Sequence, residues 1–302
     1  MITQVTEKVK LDELLDSYTS PKSKNGEFFM NDKKIVSRLV LYTPELAKFI
    51  LDNFNEKNRP ISKNNVNFLV KEVENGNWMG NGDSIRFNEN FDLIDGSHRL
   101  SMILNTGVTI PFLTLSGFES DSFKSIDIGR KRTGSDVLAI EGIKNYTNTS
   151  ATVKFIYAFK NAKYSANTMS SRTLTNTELI EYYNTLPHID ESVKTINKYA
   201  DNCKGFIRPT LIAGFHYLMS EIDTKLADEF ISKLCTGVGL EEDSPIVVLR
   251  NKLIKTKFDK NYVIKNEELL KIICYSWEKF ITGKKIKTIK LPEEYEIKLV
   301  NP

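Results

Sequence analysis

The chain has 302 residues, with 42 Lys/Arg against 39 Asp/Glu, three His, three Cys and a formal net charge of +3. No run approaches the roughly 18 consecutive apolar residues of a membrane span, and the N-terminus has no apolar signal core, so a cytoplasmic protein without a membrane partner is expected. Cys203, Cys235 and Cys274 are odd in number and outside any C-x-x-C spacing, which argues for buried reduced thiols, and His98, His188 and His216 are too few for a His-rich metal site.

The length suits two domains, or one with a large helical extension. Residues 1–40 are polar and mixed and show no clear element, and Ser20-Pro21-Lys22-Ser23-Lys24-Asn25-Gly26 reads as a loop, so an N-terminal arm is expected there. Thr43-Pro44 then supplies an N-cap and a proline at the first helical position, with Leu46, Phe49, Ile50 and Phe54 at helical spacing. A second helix runs from the Ser62 cap through Val66, Leu69, Val70 and Val73 to Gly76. Residues 84–87 and 92–94 read as a hairpin, and a helix carrying Leu100, Ile103 and Leu104 follows and stops at Gly107. Val108 to Leu115 is the next strand, whose Pro111 argues for an edge position or an irregular start. A short helix near Ser120 to Lys124 leads to a basic loop, and Thr133 or Ser135 caps a helix ending at Gly142. Beyond it the pattern is helical almost throughout. Val153/Ile156/Tyr157, a Thr175-x-x-Glu178 capping box, Leu211/Phe215/Leu218/Ile222, Leu226/Phe230/Leu234, a Ser244-Pro245 start and Asn266 to Gly283 mark its helices.

The densest chemistry lies where the hairpin meets its helix. An apolar run breaks at Asp95-Gly96, and the first helical turn then carries Ser97, His98 and Arg99. A helix N-terminus favours negative charge, Gly96 lets the backbone approach closely, and Arg99 can grip a phosphate bidentately. The plain alternative is a strand-to-helix turn in which Arg99 bridges to Asp83 or Glu72. Asp95 is the candidate Mg²⁺ ligand or general base, or else an acceptor for backbone N–H groups at the turn. His98 is a candidate phosphate donor or acid, or else a histidine packed on the sheet. On the phosphate reading, Arg99→Ala abolishes anion binding and leaves the fold intact.

Asp95-Gly96-Ser97-His98-Arg99 resembles the D-G-Q-H-R type box of the ParB/sulfiredoxin-like superfamily. Arg59-Pro60-Ile61-Ser62, Gly76-Asn77-Trp78, Ile85-Arg86-Phe87 and residues 126–133 resemble further blocks of a phage and bacterial branch, as do Gly237-Val238-Gly239-Leu240 and Ser244-Pro245-Ile246 through Leu249-Arg250. The resemblance covers most of the chain and is strongest between Asn58 and Asp136. The pattern along the chain joins an α+β unit over 41–145 to an all-helical unit over 146–302, with the boundary between Gly142 and Thr149, where Asn145, Asn148 and two threonines interrupt it; the resemblance implies a small mixed sheet in the first. It also implies a site for nucleotide or nucleic-acid phosphates at Gly96, Ser97, His98 and Arg99, with Asp95 and His98 as the catalytic pair of an enzymatic version. It supplies no reaction, because members include CTP-binding partition proteins, nucleases, kinases and sulfiredoxins. Sulfiredoxin chemistry needs a cysteine in the box, where this chain has Ser97, so that activity is excluded.

Arg130, Lys131 and Arg132 form a second cation cluster, which either closes over the phosphates held by the first or is a solvated loop. From Arg250 to Lys290 there are twelve Lys/Arg against four Asp/Glu, with Tyr262, Tyr275 and Trp277 interleaved. Lys284, Lys285 and Lys287 are the nucleic-acid candidates of that segment, against the alternative of a solvated face over core aromatics. Three functions remain open. One is Mg²⁺-dependent hydrolysis of a nucleoside triphosphate or phosphodiester, the second is nucleotide or DNA binding without turnover, and the third is a phage or mobile-element interaction protein with a homo-oligomeric or other protein partner.

Overall fold

The computed structural model describes residues 2–18, 26–30, 32–56, 58–126, 132–161, 174–203, 205–259 and 261–299. The chain forms two compact units, Met1–Arg130 and Lys131–Pro302, the first mixed α and β and the second helical. An α+β protein was the expectation. The units divide ahead of the Gly142–Thr149 interval because the helix over Gly134–Ile140 puts Leu138, fully buried, into the core of the helical unit.

The first unit begins with elements that its polar composition conceals: α1 (Ile2–Ser17), β1 (Gly26–Met30) and β2 (Lys33–Tyr42) stand where an unstructured arm was expected. Leu11 and Leu15 of α1 are fully buried. Asp12 and Asp16, also on α1, hold the buried Arg38 of β2 at 2.8 and 2.7 Å. Then follow α2 (Pro44–Phe54), α3 (Lys63–Glu74), β3 (Ser84–Asn88), β4 (Leu93–Asp95), α4 (Ser97–Thr106), β5 (Ile110–Phe118) and a 3-10 turn at Ser120–Ser125. Thr43 and Ser62 cap α2 and α3 by accepting the backbone N–H groups of Leu46 and Asn65.

The five described strands are ordered β1-β2-β5-β3-β4, antiparallel except for the β3/β5 pair. β5 is therefore an inner strand, which corrects the edge position and leaves the irregular start of the two readings of Pro111. β3 begins only opposite Leu113, so Pro111, paired with Leu41, sits where β5 has β2 alone as neighbour and a missing N–H breaks no second ladder. The core of this unit joins Val40, Tyr42, Phe87, Leu93 and Phe112 of the sheet to Leu46 and Ile50 of α2 and Leu100 and Ile103 of α4. Leu104, expected on that face, is over a third exposed, and Met102 is buried instead.

The second unit comprises α5 (Gly134–Ile140), α6 (Tyr146–Lys160), α7 (Asn176–Asn184), α8 (Ile189–Cys203), α9 (Pro209–Ser220), α10 (Thr224–Thr236), α11 (Pro245–Phe258) and α12 (Asn266–Ile281). Capping boxes at Thr133/Asp136 and Thr175/Glu178 start α5 and α7. The apolar α9, buried from Leu211 to Met219, packs against α6, α8 and α10. No described helix is long and apolar enough to cross a membrane.

Candidate functional site

β4 delivers Asp95 directly to the start of α4, with Gly96 between them at φ +111°. A Cβ on residue 96 would fall 2.5 Å from Ile85 Cδ1, so glycine here serves both a left-handed turn and the close approach of β3. Gly96 and Ser97 are both buried.

Arg99 turns back onto the sheet. Its Nη2 donates to the carbonyl oxygen of Ser84 at 2.7 Å and to Asp95 Oδ2 at 2.9 Å, while Nη1 lies 3.4 Å from the carboxylate of Asp83. Arg99 and Asp95 are only 15% and 16% exposed. Arg86 Nε lies 3.9 Å from the same Asp95 oxygen and donates to Ser84 Oγ at 2.8 Å. Two guanidinium groups and two carboxylates thus balance one another around β3 and β4. Asp83 is one of the two carboxylates that the plain strand-to-helix turn would give Arg99 as a partner. Arg99 Nε is buried without a hydrogen-bond partner.

His98 faces another way. Its Nε2 accepts the backbone N–H of Ser62, the N-cap of α3, at 3.1 Å, which leaves the ring proton on Nδ1. Asn58 Nδ2 donates to the Leu93 carbonyl at 3.2 Å, so the segment ahead of α3 is tied to β4 as well as to α4. The opening turns of α3 and α4 meet at His98, with Arg59 and Lys63 exposed on either side of Ser62 in the chain.

These residues do not fit a protein-held Mg²⁺. The Asp95 carboxylate is engaged by Arg99 and approached by Arg86, and no group of three or more His, Cys, Asp or Glu is placed to hold a metal among the described residues. Arg130 and Lys131 lie outside the described residues, as does Asp127; Arg132 is exposed, one residue before the Thr133 cap.

In the basic segment the interleaved aromatics serve mainly as packing. Trp277 is fully buried against Phe230 and Tyr275 packs edge-on to Tyr295, while Lys255 lies over the ring of Tyr262. Lys284, Lys285 and Lys287 are exposed, with Lys285 held by Glu241 at 2.8 Å. Trp78, partly buried, packs edge-on to Phe112 against the core of the first unit. Gly237, at φ +75°, ends α10.

One constellation escapes the sequence entirely. His216 Nδ1 lies 2.9 Å from Ser192 Oγ, and its Nε2 lies 3.0 Å from Asp228 Oδ1. Ser192 sits inside α8 and is 3% exposed, so this trio ties α8, α9 and α10 together instead of presenting a nucleophile. Its members come from three helices, and no local spacing announces them. Comparison with family models, with curated proteins and with solved structures finds no match for this chain.

Proposed function

We propose that the chain is a phosphate-binding protein of ParB/sulfiredoxin-like type, holding a phosphate of a nucleotide or of nucleic acid at the corner where α3 and α4 begin. The observation that carries this reading is the 3.1 Å bond from the Ser62 N–H to His98 Nε2, which brings two helix N-termini together. Each offers the backbone N–H groups of its first turn and the positive end of a dipole, and exposed Arg59 and Lys63 add charge beside them. The Asp95–Arg99 pair then acts as the brace of the corner. Binding without turnover is favoured, because Asp95, the one candidate base, is tied to a guanidinium.

A second reading, nucleic-acid contact by the helical unit, is favoured by the exposure of Lys284, Lys285, Lys287 and Lys290 just beyond α12. The discriminating experiment is fluorescence anisotropy of labelled nucleoside triphosphates and of a short DNA duplex, with and without Mg²⁺, on the parent and on Arg59→Gln/Lys63→Gln. Removing two phosphate-binding cations should weaken binding at the corner at least about tenfold. A parent that binds neither probe, or a double variant of unchanged affinity, rejects the corner.

A further inference from the structure

We propose that Ser150 and Lys154 of α6, closing on Gly134 of α5, form an oxyanion site within the second unit, and that the ligand it takes is a phosphoryl group. The two side chains stand one turn apart on the same helix face. Ser150 Oγ lies 3.1 Å, and Lys154 Nζ 3.2 Å, from the point where a Cβ on residue 134 would sit. Leu179 Cδ2, 2.5 Å from that point, walls the place on its apolar side. A Cβ at residue 134 would collide with Leu179 and press on both the hydroxyl and the ammonium.

Neither group has a hydrogen-bond or ion-pair partner among the described residues, although Ser150 is 3% exposed and Lys154 is half-buried. That is anomalous within this unit. Its other half-buried described lysines, Lys233, Lys252, Lys271 and Lys279, each hold a glutamate at 2.6, 3.2, 2.9 and 2.6 Å respectively. A partly desolvated ammonium without a counter-charge is unfavourable, and the hydroxyl beside it is equally without a partner. Burial accordingly pushes the Lys154 pKa below its ordinary value, and no carboxylate opposes the shift.

An oxyanion resolves both deficits, neutralising the ammonium and accepting from the hydroxyl. An ammonium and a hydroxyl donor on one helix face suit a phosphoryl group, whose several oxygens accept from both at once.

The test reads Lys154 itself. The full-length protein is treated with an amine-acetylating reagent, with and without inorganic phosphate at matched ionic strength, and acetylation is followed by peptide mass spectrometry. Near-saturating phosphate is expected to slow acetylation of Lys154 about tenfold relative to Lys160 on the same helix. Parallel arms with ATP and with a short DNA duplex show which molecule carries the phosphoryl group. In addition, Lys154→Met should melt at or above the parent temperature without phosphate and lose the rise that phosphate produces. Ser150→Ala takes its place should that variant fail to fold. Acetylation of Lys154 unaffected by phosphate, ATP and duplex alike overturns the site, as does a phosphate-induced rise of the parent's size in the folded variant.

Discussion

Arg99→Ala is expected to destabilise the first unit by about 3 kcal/mol. The guanidinium gives two short charge-assisted hydrogen bonds, to the Ser84 carbonyl at 2.7 Å and to Asp95 at 2.9 Å. Bonds of this kind contribute roughly 1.5–3 kcal/mol each, and removing one partner of a buried ion pair costs roughly 3–5 kcal/mol. Residual exposure of the pair places the expectation at the low end of that range. The contact with the half-exposed Asp83 adds less than about 1 kcal/mol. Urea unfolding measures the loss, and the chain offers a local reporter: Trp78 lies in the first unit, so a Trp277→Phe background leaves it as the sole tryptophan. Adding Asp95→Asn completes a double-mutant cycle in which the two losses overlap by about 1.5 kcal/mol or more. A loss below about 1 kcal/mol for Arg99→Ala would refute the argument, since that is how an arginine on the surface behaves.

Gly96→Ala should cost about 2 kcal/mol or more, through its positive φ and the collision with Ile85 Cδ1, and Ile85→Val should recover only the part due to the collision. Equal stability of parent and Gly96→Ala counts against the turn as described. Burial pushes the Tyr42 phenol pKa well above its ordinary value. Because the folded pKa is the higher one, its stabilisation is intact below about pH 10 and is lost as pH rises beyond that. Tyr42→Phe should therefore flatten the alkaline fall in stability, and parallel curves for the two proteins reject this. If the helical unit contacts DNA, replacing Lys284, Lys285 and Lys287 with Gln should weaken unrelated duplexes alike and lower the salt slope by up to about 0.9 for each phosphate no longer neutralised. An unchanged slope removes that surface from any interface.

Where a helix or strand announces itself through its own side chains, its outline was legible. Thr43, Ser62, Thr133 and Thr175 cap the helices they were expected to cap, and Gly107 ends α4 in the left-handed region. What stayed hidden depends on partners remote in the chain. In β2 the buried positions are Ile35, Arg38, Val40 and Tyr42, and a buried arginine breaks the apolar alternation that identifies a half-buried strand. Arg38 is tolerable there only because Asp12 and Asp16 come from α1, whose own helical signal is diluted by charge. In α8 the apolar spacing of Ile189, Val193, Ile196 and Tyr199 was present, yet its start follows His188, at φ 60°, where no serine, threonine, asparagine or aspartate offers a cap.

The candidate site divides along the same physical line. Asp95 and Arg99 stand four residues apart, the spacing of a helical ion pair, yet the partners expected for Arg99 were Asp83 or Glu72 and the pairing with Asp95 was missed. What the spacing leaves undecided is whether the arginine remains free for a ligand. That depends on β3, which brings Asp83 and the Ser84 carbonyl to the same guanidinium and turns an apparent anion grip into a brace. Lys154 is the converse case. In sequence it is one lysine among many on helical faces, and nothing near it in the chain hints at a function. In the folded unit it is set apart because the other half-buried described lysines have found glutamates and it has not. The state of a cation's partners, more than its place in a motif, decides where an anion can bind.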